Sequence, residues 1–153
     1  MRALSPNARG RRHASVLWAL LAAFVLRVVA QLAAAAGPLP FLPPFEAWHS
    51  ATLPYPVLVA IQVAIVVLFA RMAVGIRDGA VPRIGLGRFL LVFGSLYFAS
   101  MAARMVLGLT VLRDSHWFRA PIPSCFHLVL AGFLLVAGHY HAAARTTGSE
   151  ASA

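Results

Sequence analysis

The stretch Phe89–Leu112 reads FLLVFGSLYFASMAARMVLGLTVL. It carries a single charge, Arg104, and no proline. A helix needs about 20 apolar residues to cross roughly 30 Å of hydrocarbon, and this run meets that length. An open strand is excluded, because lipid cannot hydrogen-bond an exposed backbone. Working outward, three more runs of the same kind appear at 15–36, 56–74 and 123–144. Pro56 and Pro123 stand where a helix can start, since the first turn loses nothing when an N–H is missing. No internal repeat is apparent.

The composition agrees with this reading. Hydrophobic residues make up 61%, charged residues 11%, and mean hydropathy is +0.81. Soluble domains carry about 25% charged residues. The sequence therefore predicts an all-α polytopic membrane protein, a four-transmembrane-helix bundle over residues 15–144. Residues 1–14 form a basic N-terminus and residues 145–153 a short polar tail. A disordered chain is excluded, and the single Cys125 excludes a disulfide framework and a cysteine-based zinc site.

Formal net charge is +9, carried entirely by arginine. Such a balance suggests a nucleic-acid partner when the charges form a surface. Here most of them sit in short stretches between apolar runs, so no nucleic-acid partner is expected. Arg2, Arg9, Arg11, Arg12, Arg71, Arg77, Arg83, Arg88 and Arg145 share one side of the membrane, and Arg113 and Arg119 the other. Nine against two places both termini in the cytoplasm of an inner-membrane protein. A secretory signal peptide is the competing reading of the N-terminus, and Arg11–Arg12 has a twin-arginine look. The first apolar run is longer than an h-region of about 7–15 residues, and it contains Arg27 and Gln31. It is read as a retained helix.

The connections differ. Gly37–Tyr55, GPLPFLPPFEAWHSATLPY, has five prolines and several aromatics and no basic residue. It reads as a rigid interfacial loop. Gly75–Arg88, rich in glycine, reads as a tight turn. Trp117 and Phe118 mark the third connection as interfacial.

Polar residues inside the spans carry the functional signal, because a charge at the bilayer centre is costly and needs a reason. They are Arg27 with Gln31, Gln62, Arg104 and His127. At about 1.5 Å per residue, all fall within roughly 14 Å of the outer boundary. Arg27 and Gln31 share a helical face, as do Tyr97, Arg104 and Gly108, and His127, Ala131, Leu134, Gly138 and His141. The opposite face of the third span holds Ser95, Ala99 and Ala103, a small-residue stripe suited to close packing. An outward-facing polar pocket follows, covered by Glu46, Trp48 and His49 from the proline-rich loop. The plainer reading is that these groups only bridge helices or snorkel to water. Two submerged arginines with one nearby acid favour a ligand, since guanidinium matches phosphate, carboxylate and carbonyl oxygen.

Catalytic and metal chemistry find less support. Haem needs two facing histidines at one depth, and only His49 is placed to meet His127. His139 and His141, two residues apart, point to different sides of a helix. No span holds an acid, which argues against a proton-coupled exporter. Ser100, Ser124 and Cys125 lack the neighbours that would activate a nucleophile. The expectation is a binding protein with no catalytic or metal residue and no bound cofactor unless haem or quinone. It would take a lipid-like or quinone-like molecule through Arg27, Gln31, Glu46, Trp48, His49, Gln62, Tyr97, Arg104 and His127. A non-catalytic subunit of a larger membrane complex is the alternative. An enzyme acting on a lipid-borne group, with His127 or His49 as general base, is the third reading.

Overall fold

The computed structural model describes residues 6–37, 39–48, 53–112 and 121–143. Four helices account for most of them: α1 (Pro6–Ala36), α2 (Tyr55–Arg77), α3 (Ile84–Thr110) and α4 (Pro121–Ala142). A short 3₁₀ turn covers Phe45–Ala47 in the proline-rich loop. The described residues contain no strand. Each helix includes a segment long and apolar enough to cross a membrane: Gly10–Ala36, Tyr55–Arg77, Ile84–Thr110 and Ile122–Ala142. The chain is an all-α four-helix bundle of multi-pass type. The Trp117–Phe118 connection and the C-terminal tail lie outside the described residues.

Helix ends follow from local chemistry. Pro54 flanks the start of α2 in an extended conformation, and Pro56 occupies its first turn. At the other end of α2, Gly79 adopts φ +85°. Its N–H donates to the Ile76 carbonyl at 3.3 Å, and the Ala80 N–H to the Gly75 carbonyl at 2.8 Å. These two bonds form a Schellman cap, which requires the left-handed conformation that glycine adopts without strain. The turn between α2 and α3 is therefore shorter than the apolar pattern suggested. Gly75 belongs to α2, while Gly85, Gly87 and Arg88 belong to α3. Apolar runs report where lipid begins, whereas helical hydrogen bonding continues past Arg88 regardless.

The central helices are α1 and α4. Buried residues make up 33% and 39% of their membrane windows, against 17% in each of α2 and α3. Ala14, Leu17, Leu21, Phe24 and Val28 form one stripe along α1, spaced by threes and fours as packing on neighbouring helices requires. That side of α1 meets both α2 and α4, and α4 carries α3 on a long seam. Consecutive α2 and α3 do not pack on each other to a comparable extent. Between α2 and α4 the main contact is Phe69 stacked on Phe133, with ring centroids 3.9 Å apart.

The α3–α4 seam is built on glycine. A Cβ on Gly87 would lie 2.5 Å from the Ala142 nitrogen, and one on Gly138 would lie 3.0 Å from the Leu91 nitrogen. Gly94 meets Leu134 and Leu135 in the same way at 3.2 Å. Small residues let helices approach in lipid, where dispersion replaces the hydrophobic effect as the main attraction. The stripe Ser95, Ala99 and Ala103 has no such role within the chain, because all three residues are exposed. Glycine permits closer approach than alanine or serine, so the glycine face of α3 turns inward.

The two ends of the bundle differ. One carries the proline-rich loop between α1 and α2. The other carries the α2–α3 turn with Arg71, Arg77, Arg83 and Arg88 around it, and is called here the arginine-rich end. There the Tyr140 hydroxyl donates to the Ala80 carbonyl at 2.8 Å, and the Arg83 N–H donates to His141 Nδ1 at 3.3 Å. Both bonds fasten the turn to the end of α4.

Candidate functional site

Toward the proline-rich end, beyond the Phe69–Phe133 stack, α1, α2 and α4 leave a space between them. The wedge between them is a cavity of about 280 Å³. Phe24 and Arg27 of α1, Gln62 and Ile65 of α2, and Phe126, His127 and Leu130 of α4 line it. Tyr97 of α3 forms one edge, and Trp48 and Leu53 come from the loop. Five of the expected site residues thus meet at one cavity: Arg27, Trp48, Gln62, Tyr97 and His127.

Arg27 continues the buried side of α1 and is only 7% exposed. Its Nη2 donates to the Trp48 carbonyl at 3.0 Å. Trp48 is itself buried, and its indole N–H donates to the Pro43 carbonyl at 3.1 Å. The guanidinium lies 5.8 Å from the centroid of the Phe126 ring, within cation–π range. Among the described residues Arg27 therefore has a carbonyl and an aromatic face as partners, and no carboxylate. Its Nε is buried and makes no hydrogen bond.

Behind Arg27, the Gln62 amide donates to Gln31 Oε1 at 3.1 Å, joining α2 to α1. Gln31 is 1% exposed and Gln62 4%. The pair uses half of each amide. Gln31 Nε2 and Gln62 Oε1 are buried without a partner. Buried polar groups are ordinarily satisfied, and each orphan costs about 1–3 kcal/mol. Two of the three side chains that carry these orphans, Arg27 and Gln62, line the cavity, and Gln31 lies behind them.

Across the cavity, the Tyr97 hydroxyl and His127 Nδ1 are hydrogen-bonded at 2.5 Å, with their rings edge to face. This bond crosses the α3–α4 seam and holds the imidazole at the cavity wall. Phe93 stacks on Tyr97, and Phe89 on Phe93, so an aromatic row runs along α3 up to the site.

The remaining expected residues are placed differently. Gln31 is held behind Gln62, away from the wall. Arg104 is buried on α3 but does not line the cavity. The side chain of Glu46 and all of His49 lie outside the described residues. Sequence reasoning missed Phe126 and the main chain of Trp48, the two partners of Arg27. Phe126 precedes His127 and shares a face with Leu130, a spacing that carried the signal. The Trp48 carbonyl left none, because every residue has one. No group of three or more metal-ligating side chains occurs among the described residues. No protein-family model matches the chain, and neither a curated protein nor a solved structure was found to resemble it.

Proposed function

We propose that the chain is an inner-membrane protein that holds the head of a lipid-like or quinone-like molecule in the wedge between α2 and α4. The observation that carries this reading is a mainly apolar cavity at which the polar side chains of Arg27, Gln62, Tyr97 and His127, from all four helices, converge. The Arg27 guanidinium suits a carbonyl or anionic oxygen, and the Gln62 amide a hydroxyl. Tyr97 and His127 stand across from them to orient the same head. A volume of about 280 Å³ suits a head group alone. The tail leaves between α2 and α3, where the helices are not packed on each other, and joins the bilayer there. Nine arginines on one side against two on the other support termini in the cytoplasm, with the cavity in the outer leaflet.

The test is extraction of the purified chain into organic solvent and mass analysis of what accompanies it. Wild type is expected to carry a stoichiometric lipid or isoprenoid quinone. Arg27→Ala should lose about tenfold or more of it, the scale of one charge-assisted hydrogen bond. Full occupancy in the Arg27→Ala protein would overturn the reading.

A second reading rests on the exposed row Ser95, Ala99 and Ala103, which offers α3 to a helix of a larger membrane complex. Under that reading a partner co-purifies in mild detergent and Ala99→Leu releases it. A monomer unaffected by the substitution counts against it.

A further inference from the structure

At the arginine-rich end, far from the wedge, the outer surface of the α1–α4 seam holds a second cavity of about 460 Å³. Its walls are Val16, Leu135 and Val136, and its rim is Arg12, His13 and His139. The rim is ordered by contacts that begin in the α2–α3 turn. Tyr140 is fixed by its bond to the Ala80 carbonyl. Its ring meets the edge of His13 at 5.7 Å. His13 of α1 in turn stacks on His139 of α4, at 5.8 Å between centroids and 19° between planes. Two parallel imidazoles and a guanidinium are thereby presented together where an apolar groove reaches the surface. Arg12 and His139 are exposed, so the rim faces the surroundings and not the core.

We propose that this groove is a seat for an anionic phospholipid, with its phosphate on the Arg12–His13–His139 rim and an acyl chain along Val16, Leu135 and Val136. Charge complementarity selects the occupant. The rim supplies the Arg12 guanidinium fork and the His139 imidazole, which match phosphate oxygens. Among the described residues the lining includes no carboxylate to repel them. The groove opens along helices that are themselves of membrane-spanning length, so its apolar part faces acyl chains. A zwitterionic lipid presents the same phosphate but adds a quaternary cation, which the guanidinium disfavours. The site shares no lining residue with the wedge, and the proposal stands whether or not the wedge takes a ligand.

The test is native mass spectrometry of the full chain in detergent, titrated with phosphatidylglycerol or with phosphatidylcholine of the same acyl chains. The expected result is preferential binding of phosphatidylglycerol. The double variant Arg12→Gln, His139→Gln should weaken it about tenfold. Val16→Trp should weaken it by filling the groove without changing charge. The titration is made in the Arg27→Ala background, so that lipid held in the wedge does not enter the reading. Equal binding of the two lipids would overturn the proposal, as would retention of phosphatidylglycerol in both groove variants. Displacement by millimolar inorganic phosphate would show an anion site without a lipid seat, and a dimer that excludes lipid would assign the groove to a second copy. Both of those results also overturn it.

Discussion

Along the α3–α4 seam glycines bring two helices together, Gly87 and Gly138 against main chain and Gly94 against leucine side chains, whereas α2 and α4 meet at two stacked rings. The first arrangement leaves no space. The second leaves a wedge that Arg27, Gln62 and His127 line. Both follow from packing in lipid, where helices associate through shape and a few polar bonds. Small residues seal a seam. Where two helices meet at a single ring pair, space remains in which polar side chains from several helices line one cavity. The sealed seam supports the open one: Tyr97 on α3 reaches His127 on α4 because the glycines bring those helices together.

The strongest break in this contrast should come from Gly87→Leu. Its Cβ would meet main-chain atoms of His141 and Ala142 at 2.8 and 2.5 Å, and neither can yield without moving α4. A loss of roughly 3 kcal/mol is expected, at the upper end of overpacking effects, measured by unfolding in detergent and denaturant. A wild-type transition would mean the seam is not close-packed. Gly138→Ala sets one methyl 3.0 Å from both the Leu91 main-chain nitrogen and its side chain, so α3 must give by a few tenths of an ångström, and should cost about 1–2 kcal/mol in the same assay.

Gln62→Leu should behave in the opposite way. It removes one interhelical amide bond, worth about 0.6 kcal/mol, and one orphan acceptor, Gln62 Oε1, while leaving another, Gln31 Oε1, so the orphans offset each other. Stability should therefore change little while lipid or quinone occupancy falls several-fold. Comparable losses in both would show that the wedge is a structural joint like the seam. The smallest effect is expected from Ala99→Leu, which faces outward. Stability of the isolated chain should stay within about 0.5 kcal/mol of wild type, so any larger drop would place this face in a contact within the chain.

Much of the site was readable before any tertiary contact was known. A buried arginine or glutamine in an apolar run stands out because lipid penalises it, so Arg27, Gln62 and His127 were visible one by one. What remained hidden was adjacency. Arg104 lies on the same face of α3 as Tyr97, yet only Tyr97 reaches the cavity. A helical face says which residues point together but not which neighbour they meet. Gly87 was hidden for a different reason. Flanking arginines make Gly75–Arg88 look like a polar turn, and hydropathy does not register that α3 has already begun at Ile84.

Length, hydropathy and the spacing of charges thus determined the all-α bundle, its four spans and the presence of polar groups within them. Those properties depend on how each segment meets lipid, and each segment meets lipid independently. Which helices touch, which seam is sealed by glycine, and which polar atoms are left unpaired were decided only in three dimensions. Packing is a relation between helix surfaces, set by the smallest side chains on each, and no single run of residues contains it.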